Sequence, residues 1–297
     1  MRHVSDTWKA VLIGFGEVGK TFSSAVRARI PKVYVYDVQF AGKPDLSAMA
    51  EQSGCIPCRS PEELPESCQL ALSLVNSSAS RDVAEMLAGR MDGGYFVDLT
   101  TSTPHVKKLS GEIIERSGGK YVDGAIMGTV ATEKSNVPIV LSGPHAREAA
   151  DLLKGLGFQC GAVDLPVGGA SGIKLLRSVF MKGLEALILE TMVAAEAYGL
   201  KDEVMDSIAN TLNQNEFRRF AEALITTHAV HRIRRSKEIA DSRGLLQDAD
   251  IPGIVTDAVV AFFRRSERLE LDDGLEHSRS AERILRVFLS QIRGSGA

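Results

Sequence analysis

The sequence predicts an α/β fold, in which a doubly wound, mostly parallel sheet is followed by an all-helical C-terminal domain. Short apolar strands alternate with amphipathic helices through residues 1–165. From residue 166 onward the strand pattern stops, and only helical periodicity remains. A glycine-rich turn at residues 14–19 joins the first strand to the first helix. These observations predict two domains, residues 1–165 and residues 166–297.

The predicted strands are short apolar runs bounded by glycine, proline or polar turns. Because helices separate most of them, we expect parallel pairing over most of the sheet. The segment 121–141 joins two strands by a loop without a helix, so we expect an antiparallel pair near the far edge. The eight strand candidates are 8–13, 32–36, 54–57, 69–75, 94–98, 120–126, 137–141 and 158–163.

The predicted helices of the first domain lie near 17–30, 44–53, 78–89, 104–117 and 144–156. The second domain opens with Gly168–Gly172, which predicts a flexible joint. A long helix over 173–199 follows. It is apolar on nearly every face, which predicts burial on all sides. Further helices are predicted near 202–212, 215–236, 251–269 and 279–293.

The glycine-rich turn has the pattern G-x-G-x-x-G between a strand and a helix, which is typical of dinucleotide binding. Gly14 allows the tight turn, Gly16 lets a pyrophosphate approach, and Gly19 lets helix and strand pack closely. Asp37 ends the second strand and is placed to bind the adenine-ribose hydroxyls, although it also suits a strand-end cap. Asp37 favours NAD, while nearby Lys43 leaves NADP open. The candidates here are Gly14, Phe15, Gly16, Glu17, Val18, Gly19 and Asp37.

Composition narrows the function classes. The chain has 297 residues, 44% of them hydrophobic, and a net charge of −3, so we expect no nucleic-acid partner. No run of 18 apolar residues is present, and residues 1–9 lack an apolar signal region, so we expect a soluble, cytoplasmic protein. Cys55 and Cys58 form a single C-x-x-C, which we interpret as incidental thiols rather than as a zinc or redox site.

Lys174 lies just inside the long helix, after a glycine-rich turn. Open α/β sheets bind ligands at the carboxyl ends of their strands, and the two domains are expected to meet there. Partial desolvation would lower the pKa of an amine at that place and suit it to general acid or base catalysis. The alternative is an ordinary surface lysine at a helix start.

The order and spacing of these motifs resemble the β-hydroxyacid dehydrogenase family, which includes 6-phosphogluconate and 3-hydroxyisobutyrate dehydrogenases. The resemblance implies hydride transfer between a nicotinamide cofactor and a small hydroxy acid or its oxo or semialdehyde form. It implies that Gly168-x-Ala170-Ser171-x-x-Lys174 leads to the catalytic lysine, Lys174. It also implies cofactor contacts from Val75, Asn76, Thr100 and Thr101, and substrate contacts from Ile126, Met127, Gly128 and Thr129.

Two departures from the family pattern concern the substrate. Met127-Gly128-Thr129 stands where the family carries Ser-Gly-Gly, and Ser178 stands where it carries asparagine. The sequence therefore resembles a divergent branch with an uncharacterised C-terminal domain and an unidentified substrate. We expect Ser178 to bind the substrate or to position the catalytic lysine. Lys182, two turns beyond Lys174, is a candidate for holding an anionic end of the substrate.

Two other functions stay open, an imine reductase on the same fold and a dinucleotide-binding protein without turnover. Imine reductases usually carry another acid in place of the lysine, so Lys174 argues against the first. The altered loop at Met127 allows the second. The direction of the reaction is not predicted.

The remaining candidates carry less weight. Arg232, Arg234 and Arg235 are expected to form a solvated helix face, with an anion clamp as the alternative. His228-x-x-His231 has no third ligand in sequence reach, so no metal is expected. Lys107-Lys108 is expected on a surface helix. Because the long apolar helix is more than a small domain can cover, we expect a homodimer through the helical domain.

Overall fold

The computed structural model describes residues 7–91, 93–271, 274, 278 and 280–294. Two sequence predictions fall partly outside these residues. They are the N-terminal segment without a signal region, at residues 1–6, and the last predicted helix, at residue 279. The chain divides into two compact units, of which the first ends at Val179 and the second begins at Phe180. The domain boundary between residues 165 and 166 stays a prediction.

The first unit contains one sheet with a doubly wound order. The strands are β1 (Lys9–Ile13), β2 (Lys32–Tyr36), β3 (Ile56–Cys58), β4 (Leu70–Ser73), β5 (Tyr95–Asp98), β6 (Lys120–Ile126), β7 (Ile139–Ser142) and β8 (Cys160–Ala162). Their order across the sheet is β3-β2-β1-β4-β5-β6-β7-β8. The order reverses between β1 and β4, and ligands of such sheets bind at the carboxyl ends of the strands beside that point. The predicted fold class is confirmed.

One pair of neighbouring strands is antiparallel. Strand β7 runs antiparallel to β6, with Asp123 opposite Ser142 and Ile126 opposite Ile139. The remaining pairs are parallel. The expected antiparallel pair is therefore confirmed. The connection is not free of helix as expected, but its α-helix Val130–Glu133 and 3-10 turn Lys134–Asn136 are too short to form a crossover.

Both faces of the sheet are buried. Ala10 and Leu12 of β1 join one apolar cluster, whereas Val11 and Ile13 join the other. Side chains alternate between the two faces of a strand, so a strand covered on both sides is apolar throughout. The covering helices are α1 (Glu17–Arg27), α2 (Pro44–Gln52), α3 (Ser80–Leu87), α4 (Pro104–Arg116), α5 (Val130–Glu133) and α6 (Ala146–Gly155).

The remaining elements are helical. They are α7 (Gly169–Ala197), α8 (Lys201–Asn213), α9 (Phe217–Asp248), α10 (Ile254–Glu267) and α11 (Ala281–Gly294). Helix α9 runs well past the predicted end at residue 236, because no proline interrupts it and Gly244 is tolerated within it. Among the described helices, none combines the length and apolar character needed to span a bilayer.

Helix α7 is not buried on all sides in the single chain, so its expected burial depends on the predicted homodimer and stays a prediction. Leu176 is 74% exposed, Val179 72% and Leu189 60%. The apolar pattern correctly predicts a helix, but a pattern does not show whether the same chain supplies the cover.

Candidate active site

The three glycines of the turn after β1 have different surroundings. Gly14 has φ of +101°, and a Cβ there would lie 2.7 Å from the Leu74 carbonyl oxygen. A Cβ on Gly19 would lie 2.0 Å from the Gly14 carbonyl oxygen. Gly16 has no atom within 4 Å of its Cβ position. Gly14 and Gly19 are therefore required by the fold, whereas Gly16 leaves free space.

That free space belongs to a cavity of about 340 Å³ at the carboxyl ends of β1, β2 and β4. Helix α1 begins beside it at Glu17, and the Gly16 N-cap supplies no side-chain hydrogen bond. Unpaired N–H groups at a helix N-terminus attract phosphate. The cavity therefore fits a dinucleotide. Its lining includes Gly14, Gly16, Asp37, Val75 and Asn76.

Asp37 supports the glycine turn. It is 9% exposed, and its Oδ2 accepts a hydrogen bond of 2.7 Å from the Phe15 amide. Its Oδ1 accepts one of 2.9 Å from the Gln39 amide. Both the capping role and the ribose role fit these contacts, because each carboxylate oxygen has a second lone pair. Lys43 donates to the Gln39 side chain at 2.6 Å.

The other predicted cofactor residues differ in what they offer the cavity. Phe15 is buried against Phe40, with ring centroids 5.6 Å apart, so its backbone alone faces the turn. Thr100 is buried and pairs its hydroxyl with Ser73 at 3.1 Å. Thr101 is exposed. Glu17 is exposed, Val18 and Val75 are partly buried, and Asn76 is exposed.

A fully buried lysine, Lys107, lies between two fully buried carboxylates. Its Nζ is 2.6 Å from the Asp98 carbonyl oxygen, 3.1 Å from Asp98 Oδ1 and 3.5 Å from Asp123 Oδ1. These three oxygens match the three protons of an ammonium group. The expectation that Lys107 lies on the surface is wrong, although Lys108 is exposed. Lys107 shares the inward face of α4 with Ser110, Gly111 and Ile114.

The two carboxylates have further donors. Asp98 Oδ2 accepts hydrogen bonds from the Ser80 hydroxyl at 2.9 Å and from the Tyr121 hydroxyl at 2.8 Å. Burial, followed by the charge of Asp98, raises the pKa of Tyr121 well above its usual value. Tyr121 is therefore a neutral donor. We call Asp98, Lys107 and Asp123, with their hydrogen-bonded partners, the buried ion network.

The segment before Lys174 is held rigidly, so the expected flexible joint is wrong. Asp123 Oδ2 accepts from the amides of Gly168 and Ser171, each at 3.1 Å. Asp123 Oδ1 accepts from the Ser171 hydroxyl at 2.6 Å. A Cβ on Gly168 would lie 2.8 Å from Pro104 Cβ, so this glycine permits close packing. A carboxylate at the N-terminus of α7 also suits the helix dipole.

Lys174 is partly buried on the second turn of α7. Desolvation, followed by the charges of Lys107 and Arg177, lowers the pKa of its amine. Ser178 is partly buried one turn later, and Lys182 is exposed in the second unit. Arg177, an exposed residue one turn after Lys174, is missing from the sequence predictions. Its spacing of three residues from Lys174 is the signal that could have found it.

The predicted substrate loop is a capped turn. Ile126 is buried, and the Met127 amide donates to the Pro138 carbonyl at 2.8 Å. The Thr129 amide donates to Glu133 Oε1 at 3.0 Å. A Cβ on Gly128 would lie 2.1 Å from that oxygen, so Gly128 makes room for the Glu133 cap. Glu133 is not among the residues predicted from the sequence.

The arginine run of α9 is not a uniform solvated face. Arg232 is buried and donates to the Ala229 carbonyl, Arg234 pairs with Glu238 at 3.3 Å, and Arg235 donates to Thr227 at 2.9 Å. An anion-clamp role for the run stays untested.

His228 of the same helix packs against aromatic rings. Its ring centroid is 5.1 Å from that of Phe263. Burial, followed by the charges of Arg235 and Arg232, lowers the pKa of His228. His228 is therefore a neutral packing residue near pH 7.

The cysteines are free and buried. Burial raises the pKa of Cys58 to about 11 and that of Cys68 to about 12. Thiols with raised pKa values are poor nucleophiles at neutral pH. For Cys58 this agrees with the interpretation of the Cys55–Cys58 pair as incidental thiols.

The residues that line this cavity fall within a segment that matches a known domain family. Residues 9–163, more than half of the chain, match the NAD-binding domain of 6-phosphogluconate dehydrogenase. The chain belongs to this family. Residues 195–266 match a domain of unknown function, DUF1932. The predicted divergent branch with an uncharacterised C-terminal domain is confirmed, and so is the NAD-binding domain.

Similar proteins include both uncharacterised proteins and reductases. One similar structure is that of conserved protein MTH1747 of unknown function, which is described as similar to 3-hydroxyacid dehydrogenases. It is 28% identical to this chain, with a TM-score of 0.60, and the match covers 86% of this chain and 96% of that one. Glyoxylate/succinic semialdehyde reductase 1 of Arabidopsis thaliana is 22% identical, covering 65% of this chain and 68% of the relative.

An imine reductase variant from Myxococcus stipitatus, solved in complex with NAD+, is 16% identical to this chain with a TM-score of 0.75. The match covers 94% of this chain and 99% of that one. At this identity the likeness shows the fold alone. This NAD-binding family member therefore has the fold shared by hydroxyacid dehydrogenases and imine reductases.

Proposed function

We propose that this protein is an NAD(P)-dependent oxidoreductase that interconverts a small hydroxy acid and its oxo or semialdehyde form, with Lys174 as general acid and base. The observation that carries the proposal is Lys174 itself. It is a partly buried amine near the start of α7, and desolvation lowers its pKa. It also stands at the position that the family resemblance assigns to the catalytic lysine.

The reaction needs a cofactor and a group that moves a proton. When bound along Gly14–Gly19 and Asp37, the nicotinamide dinucleotide supplies the hydride acceptor or donor. In oxidation, the neutral amine of Lys174 takes the hydroxyl proton as the carbon–oxygen double bond forms and the hydride leaves the same carbon. In reduction, the ammonium form of Lys174 returns the proton to the oxygen. Ser178 is assigned to substrate binding or to orienting the amine.

An anionic substrate is favoured by the charges near Lys174. Arg177 is exposed one turn beyond it, and a guanidinium matches the geometry of a carboxylate. Lys182, farther along α7, is a second candidate. Ile126, Met127, Gly128 and Thr129 remain the candidates for contact with the carbon chain. The similarity to a glyoxylate/succinic semialdehyde reductase agrees with a small aldehyde or oxo acid.

The test is oxidation of NADH and NADPH with a panel of substrates. The panel contains glyoxylate, succinic semialdehyde, 2-oxo acids, 3-oxo acids and cyclic imines. We expect turnover of an acid with an aldehyde or oxo group. We expect Lys174→Ala to lower kcat about 10²- to 10⁴-fold while NADH affinity is kept. Near-normal turnover by Lys174→Ala would remove the assigned role, and Lys108→Ala is the matched control.

Two other functions are separated by the same panel. Imine reduction stays the second candidate, because an imine reductase has the same fold, although Lys174 argues against it. Turnover of cyclic imines without turnover of oxo acids would establish it. Calorimetric NADH binding without hydride transfer to any substrate would instead establish a non-catalytic dinucleotide-binding protein.

A homodimer is part of this proposal. Apolar side chains of α7 are exposed in the single chain, including Leu176, Val179 and Leu189. A second copy of the chain would remove this surface from water, and the buried apolar area would stabilise the dimer.

A further inference from the structure

We propose that Lys107 is a positioning residue for the proposed acid/base reaction, because its buried ion network holds the loop after β5 and the start of α7 in one fixed arrangement. The inference rests on the proposed role of Lys174. No sequence motif pointed to Lys107, which was expected on the surface.

One arm of the network reaches the loop after β5. Asp98 Oδ1 accepts the Thr100 amide at 3.0 Å and also contacts Lys107 Nζ at 3.1 Å. The backbone carbonyl oxygen of Asp98 accepts a hydrogen bond from the same ammonium at 2.6 Å. Lys107 therefore binds the end of β5 through both main chain and side chain. The loop that it fixes carries Thr100 and Thr101, the candidates for contact beside the nicotinamide.

The second arm reaches α7. Asp123 Oδ1 lies 3.5 Å from Lys107 Nζ and accepts the Ser171 hydroxyl at 2.6 Å. Asp123 Oδ2 accepts the amides of Gly168 and Ser171. Lys174 follows Ser171 by three residues, which is about one helical turn. The orientation of Lys174 is therefore linked through Asp123 to Lys107.

A cation is required at this place. Asp98 and Asp123 are opposite each other in adjacent strands β5 and β6, and both are fully buried. Two like charges in this arrangement repel, and water does not screen them. The ammonium of Lys107 lies between the two carboxylates and attracts both, while the hydroxyls of Ser80, Tyr121, Ser142 and Ser171 donate to other oxygen lone pairs.

The same ammonium acts on Lys174 electrostatically. The charged groups of the first unit that act on the Lys174 amine are Lys107 from α4 and Arg177 from α7. Asp98 and Asp123 contact Lys107, and their negative charges oppose its electrostatic effect on Lys174. A fixed positive charge favours the neutral form of a nearby amine. Lys107 thus supports the base form of Lys174 and also its placement.

The experiment compares three variants of the protein with wild type. Lys107→Met/Asp98→Asn removes one charge of each sign, so the interior keeps its net charge. Lys108→Met changes the exposed neighbour and is the matched control. Ser171→Ala removes the hydroxyl hydrogen bond of α7 to Asp123, the shortest of the three that Asp123 accepts there, and leaves the two amide bonds and every charge in place. Circular dichroism and thermal melting check that each variant is folded.

The first readout needs no substrate. Acetic anhydride acetylates neutral amines, and mass spectrometry follows the labelling of Lys174 against pH. We expect the labelling curve of Lys107→Met/Asp98→Asn to move to higher pH, and those of Lys108→Met and Ser171→Ala to match wild type. A double-variant curve that matches wild type would overturn the electrostatic part of the proposal.

The second readout is steady-state turnover of the best substrate from the panel. We expect kcat to fall about tenfold or more in the double variant and in Ser171→Ala, with the NADH KM kept, because small misplacements of a catalytic group slow the reaction strongly. Unchanged kcat in Ser171→Ala would overturn the positioning part, even if the double variant does not fold. Normal turnover by Lys174→Ala would instead overturn the proposed function, and the labelling curves would still test Lys107.

Discussion

The two glycines Gly16 and Gly19 allow cofactor binding to be separated from folding. They are three residues apart in the same turn, but an added methyl group meets different surroundings at each. At Gly19 it would lie 2.0 Å from the Gly14 carbonyl oxygen. At Gly16 it would meet nothing within 4 Å, and φ there is −70°, outside the positive range that favours glycine.

The expected magnitudes follow from these distances. In Gly19→Ala the turn has to open by more than 1 Å to restore ordinary contact, and overpacking of this kind costs about 1–3 kcal/mol of unfolding free energy. Gly16→Ala should leave that free energy within about 0.5 kcal/mol of wild type. Its methyl group occupies the space for a pyrophosphate, so we expect the NADH Kd to rise at least about tenfold, or about 1.4 kcal/mol.

Two assays measure the pair. Urea unfolding gives the free energy of unfolding, and titration of NADH fluorescence gives the Kd. We expect Gly19→Ala to lose stability and Gly16→Ala to lose affinity alone. Gly16→Ala binding NADH as tightly as wild type would show that the dinucleotide does not use this turn.

Three further predictions concern individual side chains. Asp37→Asn puts an amide donor against the backbone amide of either Phe15 or Gln39. We therefore expect the free energy of unfolding, measured in urea, to fall by about 1–3 kcal/mol. An unchanged free energy of unfolding would contradict the capping role. Arg177→Ala should raise the substrate KM about tenfold, because it removes the proposed contact with the substrate carboxylate. It should also move the pH profile of oxidation to higher pH, because the charge of Arg177 lowers the pKa of Lys174. An unchanged KM would exclude the carboxylate contact. Wild-type protein should scatter light as a dimer at micromolar concentration and Leu189→Glu as a monomer; a wild-type monomer would contradict the dimer.

The sequence predicted those parts of the fold that depend on local patterns. Strands β2 and β6 have the predicted bounds, and the antiparallel β7 follows from the missing crossover helix. The glycine turn was predictable because a positive φ requires glycine at Gly14 and the close Gly14 carbonyl requires it at Gly19.

The buried ion network was not predictable, because it depends on contacts between distant segments. Lys107 has an exposed neighbour, Lys108, and local sequence does not tell which of the two faces Asp98 and Asp123. Gly168–Gly172 resembles a flexible joint for the same reason, since the carboxylate of Asp123 comes from a separate strand. Arg232 was expected in solvent, and its burial depends on how the helices of the second unit pack.

The pH dependence of hydride transfer tests the role of Lys174 most directly. The lowered pKa of Lys174 brings its titration below the usual range near 10.4. In oxidation the neutral amine is the base, so kcat/KM should rise with pH through the Lys174 pKa. In reduction the ammonium is the acid, so kcat/KM should fall through the same pKa. We expect Lys174→Ala to lose both pH dependences together with most of the rate. A variant that keeps the wild-type rate and pH profile would contradict the acid/base role of Lys174.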